Sequence, residues 1–99
     1  MTKSVLSVRV PQITSLETAI RLYYEHTELS NSDIKELFGK CSSATITRLK
    51  SKVRERMAEE KTPVWNANNV NTKVAYSTWG LDIDDLETRY QKVKLVNNS

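Results

Sequence analysis

Residues 29–57 read LSNSDIKELFGKCSSATITRLKSKVRERM, and the fold turns on how they are read. Ser30 or Ser32 suits the cap of a short helix whose apolar face is Ile34, Leu37 and Phe38. Gly39 follows at once, at the place where helices commonly end on a residue with positive φ. Lys40 and Cys41 make the turn, and Ser42 caps a longer helix. In that helix Ile46, Leu49, Val53 and Met57 recur at i, i+3, i+7 and i+11, one apolar stripe that holds to about Glu60. Pro63 forbids further helix.

On the N-terminal side, residues 1–12 form an arm closed by Pro11, in which Val5 to Val10 alternate loosely enough for a short edge strand. Thr14, with Glu17 three residues later, has the form of a capping box. Ser15 is the poorer cap because Thr18 occupies its box position. Leu16, Ala19, Ile20, Tyr23 and Tyr24 define an amphipathic helix from Ser15 to about Thr27.

On the C-terminal side, Val64 to Asn71 is Asn-rich and reads as a loop. Val70, Val74, Ala75, Thr78 and Trp79 fit a short helix capped by Asn71 or Thr72 and closed by Gly80. A β-hairpin over 64–76 is the alternative, since Val, Thr, Tyr and Trp suit strands, but no Asn-Gly or Gly-Gly turn marks it. Asp82 caps a last helix from Ile83 to about Leu95. Its acids stand near the start and Lys92 and Lys94 in the last turn, the order that complements the helix dipole. The expected fold is all-α, a single domain over 1–99: a three-helix core over 15–60 and a helical extension over 71–95. A winged form with the 64–76 hairpin is the alternative architecture.

Composition narrows the function classes. Ninety-nine residues with 38% hydrophobic content support one modest core. No apolar run is long enough to span a bilayer and none has the form of a secretory signal. One cysteine, Cys41, excludes an internal disulfide and fits a reducing compartment, so a cytoplasmic location is expected. The net charge of +3 is unevenly spread. Residues 40–61 hold seven Lys or Arg against three Glu, whereas 82–87 hold four acids and no base, which favours an anionic partner for the middle segment.

FGKCSSATITRLK resembles the turn and recognition helix of bacterial and phage helix-turn-helix DNA-binding proteins, with Gly39, Cys41, Ser42, Thr45, Ile46, Arg48 and Leu49 in the motif positions. The resemblance covers residues 30–51. It implies a recognition helix entering the major groove and a DNA-binding function as a small transcriptional regulator or a phage or mobile-element accessory protein. In two places the chain departs from the pattern. The turn is one residue longer than the commonest form, and Lys35 stands where a small residue usually packs against the second helix. Residues 71–90, NTKVAYSTWGLDIDDLETRY, are also similar to small proteins of Gram-positive bacteria and their prophages, which implies an origin and no activity.

Helix geometry supports the assignment without the resemblance. With the Ile46–Met57 stripe facing inward, Ala44, Arg48, Ser51 and Glu55 point outward, flanked by Ser43 and Thr47. Small residues at a helix tip let it sink into a groove, and Arg48 has the forked donors that match guanine O6 and N7. The candidate DNA-binding residues are therefore Ser42, Ser43, Ala44, Thr45, Thr47, Arg48 and Ser51, with Lys40, Lys50, Lys52 and Arg54 on phosphates. A single helix contacts few base pairs, so a homodimer on a two-part double-stranded site is expected, with Leu86, Tyr90 and Val93 as its candidate contact, although the same residues suit plain core.

Other residues carry weaker chemistry. His26 lacks spaced partners for catalysis or a metal. Cys41 suits a small buried hydrophobe, with redox sensing as the alternative. Trp65 and Trp79 read as core or loop anchors, and stacking of an unpaired base on Trp65 is the functional alternative. The acids Asp82, Asp84, Asp85 and Glu87 suit a helix start better than a metal site. No enzymatic activity, cofactor, metal or membrane partner is expected. The rival classes are an adaptor that binds an acidic protein through residues 42–60, and an RNA-binding module.

Overall fold

A computed structural model describes residues 10–97. Seven elements follow in order: α1 (Leu16–Glu25), β1 (Glu28–Leu29), α2 (Asn31–Phe38), α3 (Ser43–Glu60), β2 (Val70–Asn71), α4 (Thr72–Thr78) and α5 (Ile83–Asn97). The fold is α-rich, and the expected arm over 1–12, strand included, lies outside the described residues up to Arg9. The hairpin over 64–76 does not form. Its one strand, β2, pairs antiparallel with β1, Glu28 opposite Asn71 and Leu29 opposite Val70. The chain then turns into α4, whose first turn is capped by the Asn71 side chain accepting from Val74 N–H at 3.0 Å.

Caps explain most helix starts. Ser30 Oγ accepts from Asp33 N–H at 3.2 Å while Asp33 Oδ2 accepts from Ser30 N–H at 3.0 Å, a reciprocal capping box on α2. Ser42 caps α3 through Thr45 N–H at 3.1 Å. Asp82 Oδ1 accepts from Asp84 N–H at 3.0 Å at the start of α5.

For α1 the expectation reverses: Ser15, not Thr14, is the cap, accepting from Thr18 N–H at 3.0 Å. Thr14 is engaged elsewhere. Its N–H donates to Leu37 O at 2.8 Å and its hydroxyl to Glu36 O at 2.9 Å, satisfying the last carbonyls of α2. A tertiary contact thus claims the residue that local sequence assigned to a local cap.

The core runs through every helix. Leu22 of α1, Leu29 of β1, Ile34 and Leu37 of α2, and Leu49 and Val53 of α3 are fully buried. Val70, Ala75, Tyr76, Trp79 and Leu86 belong to the same cluster, so the C-terminal segment completes the core. Two buried aromatics anchor it with hydrogen bonds, as buried Tyr and Trp require. Tyr76 Oη donates to Ala19 O at 2.6 Å, and Trp79 Nε1 donates to Leu49 O at 3.2 Å. Helix α4 packs on α3 and α5 on α1. Among the described residues, no helix is long and apolar enough to cross a membrane.

Candidate nucleic-acid interface

The connection from α2 to α3 sets how the second helix is presented. Gly39 has φ 82° and ψ −149°, backbone space that only glycine occupies readily. A Cβ there would stand 3.2 Å from Thr14 Cγ2. Cys41 is half-buried and packs against the core, the small hydrophobe that the turn needs. Helix α3 then leaves the turn with its tip in water.

Along α3 the stripe Ile46, Leu49, Val53 and Met57 is buried, as its spacing dictates. Ser42, Ser43, Ala44, Thr47, Arg48 and Ser51 are exposed, and Thr45 is half-buried. Lys40, Lys52 and Arg54 are exposed as well, Lys52 lying 3.9 Å from Glu55. The first carboxylate on the helix is Glu55, so its N-terminal half carries positive charge alone.

Lys50 departs from the expectation. It is only 7% exposed, with Nζ donating to Asn31 Oδ1 at 2.8 Å and to Asn68 O at 2.5 Å. It is therefore not an open flank residue. One turn beyond Ile46 and one residue beyond Leu49, it lies within about 60° of the centre of the apolar stripe. The 64–69 loop closes over that edge. Burial first, and then the Arg54 charge, lower its pKa below the ordinary 10.5.

That loop is pinned at several points. Glu28 accepts from the N–H groups of Trp65 at 2.7 Å and Asn66 at 3.1 Å. Arg54 Nη2 donates to Ala67 O at 2.9 Å, and Asn66 Oδ1 accepts from Asn68 N–H at 2.8 Å. Trp65 nevertheless stands 76% exposed on this fixed backbone, unlike Trp79, which is core. The Glu28 clamp was not legible in the sequence, because its partners are backbone groups 37 and 38 residues away.

Lys35 lies along an open cleft between α2 and α3 and remains exposed. The cleft has a volume of about 140 Å³ and is lined by Asn31, Lys35, Ser43, Ile46, Thr47, Lys50 and Arg54. Among the described residues no group of three or more His, Cys, Asp or Glu is placed to hold a metal ion. His26 stands at the end of α1 with Nε2 3.6 Å from Asp33 Oδ1. Of the residues considered for a dimer contact, Leu86 is taken up by the core, Tyr90 is half-buried and Val93 is exposed.

No protein-family model matches the chain, and no curated protein or solved structure matches it.

Proposed function

We propose that α2 and α3 act as a helix-turn-helix and that the protein binds double-stranded DNA in a sequence-dependent way, without catalysis. One observation carries this reading. The exposed N-terminal half of α3 presents small side chains, Ser43, Ala44 and Thr47, beside Arg48, with cations and no carboxylate before Glu55. A tip of that shape enters a major groove about 12 Å wide, and Arg48 supplies paired donors for a guanine edge. Ser42, Thr45 and Ser51 line the same approach, and Lys40, Lys52 and Arg54 suit phosphates on either side.

A second copy of the chain would double the number of base contacts. The exposed apolar residues Val93 and Val96 on the last turns of α5 are the surface we assign to it, with half-buried Tyr90 on the same helix face. A small regulator or mobile-element accessory protein working in the cytoplasm fits this behaviour.

Selection of bound sequences from a random duplex pool, followed by gel shift of the winners, tests the reading. We expect an enriched motif, and Arg48→Ala to relax one position at a cost of roughly 1–3 kcal/mol. Failure of micromolar protein to shift any duplex at low salt would refute it and transfer the basic face to an acidic protein partner. A shift of single-stranded or hairpin RNA in preference to duplex DNA would refute the DNA assignment alone.

A further inference from the structure

The cleft between α2 and α3 holds an electrostatic arrangement that the fold alone does not explain. Lysine is almost never fully buried unless paired, because the desolvated ammonium loses its hydration. Lys50 is 7% exposed, yet the oxygens that it meets, Asn31 Oδ1 and Asn68 O, are both neutral. Lys35 and Arg54 line the same cleft, and no Asp or Glu does so among the described residues. Three residues with cationic side chains therefore line about 140 Å³ of space, with no carboxylate in the lining. Like charges so placed repel one another, most strongly where water is excluded.

The remaining lining is suited to an oxyanion. Ser43 and Thr47 bring hydroxyl donors, both on exposed residues at the rim, while Lys50 and Ile46 form the floor. Two of the three ammonium protons of Lys50 are used on Asn31 and Asn68, leaving one for a ligand in the cleft. Arg54 spends one guanidinium donor on Ala67 O and has four more. Asn31 is the first residue of α2, so the cleft also lies at the positive end of that helix. Each feature favours a compact, multiply charged acceptor over a neutral ligand.

We propose that this cleft seats one phosphate group of a nucleic-acid backbone, with Lys50 beneath it, Lys35 and Arg54 beside it and the Ser43 and Thr47 hydroxyls at its rim. The seat rests on the DNA-binding reading for its source of phosphate, and free inorganic phosphate shares the same chemistry. It gives Lys35 a role that the resemblance did not assign. It also returns Lys50 to phosphate binding from a buried position. One phosphate shared by three cations has a distinctive signature: the cations act as a unit, not as separate contacts.

Two measurements test it on the full chain. In the first, duplex affinity is followed against salt concentration. Lys35→Met and Lys50→Met should each lower the slope of log K against log salt by about 0.9, the value for one phosphate. The double variant should lose no more than either single one. Losses that sum to two phosphates in the double variant, or no change of slope, overturn the shared seat. In the second, melting is followed in phosphate against chloride at matched ionic strength. Wild type and the Lys92→Gln control, whose lysine lies on α5, should gain stability in phosphate, and the Lys35 and Lys50 variants should not. An equal gain in all four overturns the seat.

The two arms separate the readings. A phosphate gain specific to the cleft lysines, together with no duplex binding by wild type, keeps the seat as a free-phosphate site and discards the DNA reading. Duplex binding with an unaltered slope in both lysine variants keeps DNA and discards the seat. Should Lys50→Met lose its helical circular dichroism, Lys35→Met, Arg54→Gln and their double variant, at two exposed positions, carry the same comparisons.

Discussion

Replacing Gly39 with alanine probes the joint on which the presentation of α3 depends. Gly39 sits at φ 82° and ψ −149°, a region in which an L-residue is strained by about 1–3 kcal/mol. The added Cβ would also meet Thr14 Cγ2 at 3.2 Å, closer than ordinary contact. Thr14 has little freedom to retreat, because its N–H and hydroxyl hold Leu37 O and Glu36 O at 2.8 and 2.9 Å. Gly80 provides the comparison: its φ is 76°, but nothing lies within 4 Å of its would-be Cβ. Gly80→Ala should therefore cost about 1 kcal/mol from the backbone alone, and Gly39→Ala about 2–3 kcal/mol. In a domain of this size the second value lowers the melting temperature by roughly 8–20 °C. Thermal and urea unfolding followed by circular dichroism measure both. Thr14→Ser, which keeps the hydroxyl and deletes Cγ2, should recover part of the loss in the Gly39→Ala background only. A cost for Gly39→Ala no greater than that for Gly80→Ala, or no recovery from Thr14→Ser, would refute a clash at Thr14 Cγ2.

Thr72 is 2% exposed and its hydroxyl has no hydrogen-bond partner among the described residues, so Thr72→Val should stabilise the protein by about 1 kcal/mol in urea titrations; a loss of stability contradicts an unsatisfied hydroxyl. Burial, and then the charge of the neighbouring Tyr23 phenolate, raise the Tyr76 phenol above its ordinary 10.0. A folded pKa raised in this way contributes stability that is complete below about pH 10 and lost as pH climbs past it. Tyr76→Phe should thus cost about 1 kcal/mol at neutral pH through the bond to Ala19 O, yet show a shallower decline above pH 10; parallel alkaline curves for the two proteins would refute this. Trp65 at 76% and Trp79 at 4% exposure should form separate emission populations, so Trp65→Phe should remove the acrylamide-quenchable one and leave a blue-shifted remainder. Undiminished quenching in that variant would show that Trp65 is covered.

Periodic features were legible in the chain because helix geometry is local. The stripe Ile46, Leu49, Val53 and Met57, the caps Ser42 and Asn71, and the stop at Gly39 each follow from spacing of a few residues, and each is present. Misreadings arose where a distant element claimed a residue. Thr14 scores well as a local cap, but α2 ends without partners for its last carbonyls, and Thr14 satisfies them. Strand β2 arose inside a segment that suits strands, but it pairs with Glu28–Leu29 instead of folding back on itself, since no turn signal allowed a hairpin.

The same division holds at the candidate site. The sequence by itself determined a helix with a small-residue tip, an Arg one turn in and a cationic run, since composition and a 3.6-residue period place those groups on one surface. Only the tertiary structure decided which cations face water. Lys50 lies at the margin of the apolar stripe, where helix geometry permits either burial or exposure, and the loop pinned by Glu28, Lys50 and Arg54 settles it. The cleft that Lys35 shares with Lys50 and Arg54 is likewise a property of two packed helices. Charge per residue is written in the chain, but the proximity of charges, which sets their electrostatic energy, exists only once the chain is folded.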